Sequence, residues 1–273
     1  MKMIEQTATK NPCYQAGRRI TPQGVMIHSI GVPQPDPAVI ANNFNRPDAD
    51  ACVHAVIGAD GDVYQLLPWE HRAWHCGSGP KGSANSTHIS FEMTEPSTIR
   101  YTSGAKWVDE NPEATRAHVL ATYRQAVKLT AWLCSRYNLD PAADGVLLSH
   151  AEGHARGIAS NHADVEHIWN REGLTMEQFR RDVAAAMAGG EGSAGSTSGG
   201  NTSDGGTSGG SGTSGGGGTS GGSGTAGDGG TPGGDGTAVR YIVQAGAFAT
   251  RKNAERMVSD LKAAGFTAYI REL

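Results

Sequence analysis

The sequence predicts an α/β fold, a mixed central β-sheet flanked by helices, followed by a flexible linker and a small βαβ unit at the C-terminus. Three observations carry this. Short apolar runs that close on a polar residue alternate with longer stretches of helical spacing, the pattern of strands and helices sharing one sheet. Asp60-Gly61 lies between two of those runs, and Asp-Gly between apolar runs signals a hairpin, so part of the sheet is antiparallel. Residues 189–238 are almost wholly Gly, Ser and Thr with a few acids. Such a stretch has too little apolar surface to offset the entropy of ordering it.

The elements follow in chain order. Gly24-Val-Met-Ile-His28-Ser-Ile-Gly31 reads as a buried strand with a polar residue at its end. Asp36 to Phe44 reads as a short helix. The runs 51–57 and 62–67 form the hairpin around Asp60-Gly61. Thr87 to Met93 alternates, with Ile89, Phe91 and Met93 on one face and His88, Ser90 and Glu92 on the other. Glu113 to Tyr137 is a long helix. Its buried stripe is Val119, Tyr123, Val127, Cys134 and Tyr137, and Pro112 and Pro141 bracket its ends. Gly145 to Ser149 is another buried strand. Thr175-Met-Glu-Gln178 has the form of a capping box opening a last helix through Met187.

The chain thus divides into residues 1–188, a linker over 189–238 and a tail over 239–273. The linker carries acids only and spans roughly 40 Å as a random coil. The tail is basic, with six Arg and Lys against three Asp and Glu, which suits an anionic polymer. The cysteines Cys13, Cys52, Cys76 and Cys134 show no C-x-x-C spacing and are expected as reduced thiols. The first residues lack an apolar signal core, so synthesis in the cytoplasm without a signal peptide is expected. No run of about 18 apolar residues occurs, so no membrane span is expected.

Four of the ten histidines, His150, His154, His162 and His167, fall between Val146 and Trp169. His28 and His150 each close an apolar strand, so the two can converge at one rim of the sheet. Asp164 is the natural third member of a metal set that leaves a fourth position open, the arrangement of catalytic zinc. Spacing alone leaves the ordinary alternative open, two hydrogen-bonded histidines at strand ends.

A wider set of residues matches a known family. The segments are Val25-Met-Ile-His28-Ser-Ile-Gly31, Cys52-Val-His54-Ala55, Leu67-Pro-Trp-Glu-His-Arg-Ala-Trp-His-Cys-Gly77, Asn85-Ser-Thr-His-Ile-Ser-Phe-Glu92, and Ser149-His150-Ala-Glu-Gly with Ile158-Ala-Ser-Asn-His162-Ala-Asp164-Val. Together they resemble the zinc-dependent N-acetylmuramoyl-L-alanine amidases of the peptidoglycan recognition protein fold, the type-2 amidases, and among these the endolysins and autolysins of Gram-positive bacteria and their phages. The resemblance spans about residues 15–185. It implies Zn2+ held by His28, His150 and Asp164, with Glu92 as catalytic base and His162 as stabiliser of the transition state. It also suggests that Trp74 and His75 contact the substrate, with His54 lining the same groove. Two positions depart from the family pattern: Asp164 stands where many relatives have Cys, and Val53 where many have Tyr. Without that phenol the base role falls more heavily on Glu92. His88, His118 and His167 are expected at the surface or behind the ligands, and His154 and Glu166 are left without a role.

The tail resembles a SPOR-type repeat, a family that binds peptidoglycan glycan strands. One strand–helix–strand half is present where the family has two, with Ala254, Met257, Val258 and Leu261 as the helix stripe. The missing half points to a homodimer formed through the tails. The resemblance thus implies a peptidoglycan amidase acting on the cell wall, with neither nucleic acid nor membrane as partner. The source is a phage or prophage endolysin, or alternatively a host autolysin. A non-catalytic peptidoglycan-binding protein of the same fold is the reading from another class.

Overall fold

The chain divides into two units, Met1–Thr202 and Ser203–Leu273. The computed structural model describes residues 1–189 and, in the second unit, Arg251, Ala254, Glu255, Val258, Ser259, Lys262, Tyr269 and Ile270. The expected linker, apart from Gly189, and the strands expected in the tail, apart from Tyr269 and Ile270, lie outside the described residues. In the second unit the described residues from Arg251 to Lys262 are helical. Arg251 Nε donates to Glu255 Oε1 at 3.0 Å, one helical turn away.

The first unit is built on a six-stranded sheet. Its strands are β1 (Lys2–Glu5), β2 (Gly24–Ser29), β3 (Ala55–Ile57), β4 (Asp62–Gln65), β5 (His88–Met93) and β8 (Leu147–Ser149), in the order β1-β4-β3-β5-β2-β8. The β3–β4 hairpin is antiparallel and every other pair is parallel, so the sheet is mixed as the sequence predicts. Gly61 takes φ +91 in the hairpin turn, a conformation that favours glycine. A separate two-stranded hairpin, β6 (Ile99–Ser103) with β7 (Lys106–Asp109), follows β5.

One face of the sheet is covered by α3 (Pro112–Tyr137) and α6 (Met176–Met187). Asn111 caps α3 and Pro112 occupies its first turn, where a missing N–H costs nothing. The stripe Val119, Tyr123, Val127 and Cys134 is buried as its spacing predicts, against Val25, Ile27, Ile89, Phe91 and Phe179. Fully burying each of the larger side chains stabilises the fold by about 1.5–3 kcal/mol. Tyr123 is buried with its hydroxyl satisfied, donating to Asp182 Oδ2 at 2.7 Å.

The opposite face carries α1 (Pro12–Gln15), α2 (Pro37–Phe44) and α4 (His150–Ala155). Asp36 caps α2, accepting from the Ala38 N–H at 2.8 Å. This second cover changes the reading of β5: Ser90 on the expected polar face is fully buried and His88 nearly so. The strand is central, and its alternation separates two buried faces rather than core from solvent. His88 is accordingly a bonded interior residue, with Thr87 Oγ1 at 2.8 Å and the Gly145 carbonyl at 2.9 Å.

Other expectations are corrected in detail. Of the run 51–57 only Ala55–Ile57 is a strand, and Cys52 pairs instead with Trp74 through an isolated bridge. Only half of the expected capping box at Thr175 forms. Thr175 Oγ1 accepts from the Gln178 N–H at 3.1 Å, but the Gln178 amide turns to Asp182 at 2.7 Å. The strands β1, β6 and β7 are additions to the predicted set. All four cysteines are buried free thiols, and no helix among the described residues is long and apolar enough to cross a membrane.

Candidate metal centre

The parallel register places the site. His28 on β2 is paired with Glu92 on β5, and Ile27 with Ser149 on β8. Side chains alternate along a strand, so Met26 and His28 share a face with Ser90 and Glu92. His150, one residue past β8, is brought to the same rim. It does not end the strand, as the sequence suggested, but opens α4. Ser149 is the N-cap in a complete capping box, its Oγ accepting from the Glu152 N–H at 3.1 Å and its own N–H donating to Glu152 Oε2 at 3.2 Å. The Ser149 hydroxyl also donates to Glu166 Oε1 at 2.5 Å. A cap of this kind is worth about 1 kcal/mol, and here it fixes the residue before a functional histidine.

Asp164 arrives on the loop before α5 (Glu166–Trp169), with its carbonyl accepting from the Ala151 N–H at 3.1 Å. His28, His150 and Asp164 are all buried, and their donor atoms converge. His28 Nδ1 lies 3.0 Å from Asp164 Oδ2 and 3.2 Å from His150 Nδ1, and His150 Nδ1 lies 3.6 Å from Asp164 Oδ1. A tetrahedral zinc ion with bonds of about 2.0–2.1 Å needs donors about 3.3–3.4 Å apart. The three residues therefore fit zinc in both donor type and spacing.

The outer nitrogens are fixed as well. His28 Nε2 is 2.9 Å from His75 Nδ1, and His150 Nε2 is 3.2 Å from Ser160 Oγ, which donates to the Cys76 carbonyl at 3.0 Å. With Nδ1 of each histidine turned to a bound metal, Nε2–H would be the donor outward, which would orient the ring and set its tautomer. Burial lowers the pKa of both His28 and His75, keeping the imidazoles neutral as metal binding requires. Burial opposes the Asp164 carboxylate, but the adjoining His150 and His28 outweigh it and hold its pKa below the usual range.

Glu92 stands beside this cluster with Oε2 buried and unpartnered. Burial, with the nearby charges of Asp164 and Glu95, holds its pKa well above the ordinary carboxylate value. An orphaned carboxylate at such a place is a proton acceptor waiting for a partner that the protein does not supply. His162 stacks on His150, with ring centroids 4.5 Å apart and planes at 10°. Its side chain is 61% exposed and its Nδ1 lies 3.9 Å from Asp164 Oδ1. Burial and His150 lower its pKa, while Asp164 opposes them. The ring offers an N–H.

The three residues expected in a groove are placed differently. His54 is fully buried, with Nδ1 accepting from the Ser90 N–H at 3.0 Å and Nε2 2.8 Å from the His71 carbonyl. Both nitrogens are committed, so His54 is a core residue and leaves the substrate set. His75 is half-buried and backs His28 rather than standing clear of it, with its Nε2 buried and unpartnered. Trp74 is half-buried and packs against the cluster that holds Cys13, Cys52 and Leu67.

Ser149, Ser160, Glu152 and Glu166 support the site through contacts that only the structure shows. The capping box was there to be found, since Ser149-x-x-Glu152 spells it. Ser160 had no comparable signal.

A family model described as N-acetylmuramoyl-L-alanine amidase matches residues 17–167, and one described as SPOR domain matches residues 237–272. Among solved structures the chain is similar to the Staphylococcus aureus hydrolase AmiA in complex with its ligand. That likeness has 17% identity and a TM-score of 0.51, and covers 70% of this chain and 88% of that one. It is also similar to the PlyG catalytic domain in solution, at 16% identity and a TM-score of 0.50, over 72% of this chain and 100% of that one. Likeness at these identities speaks for the fold alone. No curated protein matches the chain.

Proposed function

As the chain belongs to the N-acetylmuramoyl-L-alanine amidase family, we propose that residues 1–188 are a zinc-dependent catalytic domain. Its reaction is hydrolysis of the amide between the lactyl group of N-acetylmuramic acid and the L-alanine of the peptidoglycan stem peptide. The observation that carries this reading is the meeting of three metal-type donors, from His28, His150 and Asp164, beside the unpartnered carboxylate of Glu92.

Amides are poor electrophiles. Zinc held by His28 Nδ1, His150 Nδ1 and Asp164 would supply Lewis acidity, polarising the carbonyl and making water a better nucleophile. Glu92 takes a proton from the attacking water and passes it to the leaving nitrogen, a role suited to a carboxylate whose pKa is raised above its ordinary value. The His162 N–H donates to the carbonyl oxygen as charge builds on it, worth about 2.7–4 kcal/mol for one well-placed donor. His75 and Ser160 hold His28 and His150 from behind. Water is required here as a reactant, which agrees with a site at the rim of the sheet, where His162 is open to solvent.

In the same reading residues 239–273, through their SPOR domain, bind the glycan strand of the wall. The linker over 189–238 lets the catalytic domain sample bonds around the anchor point. Two tails pair to complete a two-half domain, giving a homodimer with added avidity on a repeating polymer. The protein acts on the cell wall.

Mass spectrometry of digested peptidoglycan tests the bond. The expected products are intact stem peptides with free N-terminal alanine and glycan chains with no new reducing ends. New reducing ends, or new termini within the peptide, would replace this function with a glycosidase or a peptidase.

A further inference from the structure

We propose that Glu95, to which the chemistry above gives no part, is the positioning residue that ties together the segments carrying His28, Glu92 and Asp164. This rests on the reading of His28, His150 and Asp164 as zinc ligands.

Glu95 lies two residues beyond β5 and is 1% exposed. Its Oε1 accepts from the Gly31 N–H at 3.0 Å, and its Oε2 accepts from the Tyr101 hydroxyl at 2.8 Å. The Tyr101 oxygen in turn lies 2.7 Å from His167 Nε2, which is 3.5 Å from Glu95 Oε1. The pattern closes with one assignment of protons: His167 Nε2–H donates to Tyr101 and Tyr101 O–H donates to Glu95.

The partners are spaced along the chain in a telling way. Gly31 is three residues after His28, His167 three after Asp164, and Glu95 three after Glu92. One buried carboxylate thus ties the exit of β2, the exit of β5 and the start of α5. Gly31 has φ +65, so the turn after His28 relies on a conformation other residues resist, and its N–H is aimed at Glu95. His167 is fixed a second time by Trp107 Nε1, which donates to its carbonyl at 3.0 Å.

Two donors reach the carboxylate directly, the Gly31 N–H and the Tyr101 O–H, and His167 supports the second, so the buried acid is paired on both oxygens. These contacts predict what its removal does. The hairpin and both ligand-bearing loops lose their common acceptor, and the ligands lose the relative placement that zinc requires. Outer residues that orient metal ligands typically contribute 10–100-fold to metal affinity.

The test compares the full chain with Glu95→Gln and with Asp182→Asn, measuring zinc affinity by competition with a chromogenic chelator and thermal stability of the zinc-free protein. Asp182 is the control because it too is a buried carboxylate receiving a tyrosine hydroxyl, but it joins α3 to α6. The expected result is zinc bound about 10–100-fold more weakly by Glu95→Gln, with Asp182→Asn within about threefold of the unaltered chain whatever its loss of stability. Wild-type affinity in a folded Glu95→Gln overturns the proposal, and so does an equal loss in Asp182→Asn. Should Glu95→Gln fail to fold, Tyr101→Phe removes only the donor to Oε2. It should weaken zinc by several-fold, and unchanged affinity there refutes the role of the cluster. An unaltered chain that binds no zinc would overturn the metal reading itself, a result distinct from these.

Discussion

Replacing Glu92 by Gln should make the zinc-free protein more stable and, once loaded, nearly inactive. The Glu92 Oε2 is buried without a partner, and a buried polar group left unpaired costs about 1–3 kcal/mol. Asp164 and Glu95 add charges of the same sign. The amide keeps the shape and cannot ionise in the unfolded chain, so a gain on the order of 1 kcal/mol is expected at neutral pH, or about 2–4 °C in Tm for a domain of this size.

The pH dependence gives the sign independently. Below the ordinary glutamate value of 4.5 the group is protonated in both folded and unfolded chains, and variant and wild type should agree. Above it the unfolded chain releases the proton while the folded chain retains it, so wild-type stability falls as pH rises toward the raised folded value. The variant lacks this component, and its advantage should widen from about pH 4.5 upward. The measurement is thermal unfolding in chelator across that range, because a bound dication would itself pull the carboxyl back toward ionisation. Turnover of the zinc-loaded variant should fall by about 10²–10⁴-fold. A variant that is less stable than wild type at neutral pH, or one that retains turnover, would refute the assignment of Glu92 as a strained functional base.

Further outcomes follow from the same geometry. His28→Ala, His150→Ala and Asp164→Ala should each lose bound zinc on dialysis, read by metal analysis, because two remaining donors hold the ion poorly. His162→Ala should keep zinc and fold while kcat falls by about 10²–10³-fold, the cost of one oxyanion donor; loss of zinc would make it a ligand instead. Light scattering should find the full chain dimeric at micromolar concentration and residues 1–188 monomeric, and a monomeric full chain would remove the tail-to-tail pairing.

What the sequence disclosed, and what it did not, divides along physical lines. His28 and His150 could be found because each closes an apolar run, and Asp164 because it follows a histidine two residues on in a histidine-rich stretch. The central sheet could be found because strand periodicity is local. The status of His54 could not. A histidine after a cysteine and a valine looks the same whether its nitrogens face a groove or, as here, Ser90 and the His71 carbonyl. The burial of Ser90 was hidden for a related reason: alternation tells two faces apart but does not say whether a helix covers the second. Glu95 gave no signal at all. Its partners lie at positions 31, 101 and 167, and only the fold brings them together. The capping box at Ser149 is spelled by Ser149-x-x-Glu152, but the apolar run before it reads equally well as a strand that closes on His150.

The measurement that bears most directly on the central claim is a zinc titration of the metal-free chain, following bound metal and release of N-terminal alanine from peptidoglycan together. The account predicts that both saturate together at one zinc per chain, and that Asp164→Ala shows neither under the same conditions. Full alanine release from zinc-free protein, or zinc bound at that ratio with no release, would contradict it.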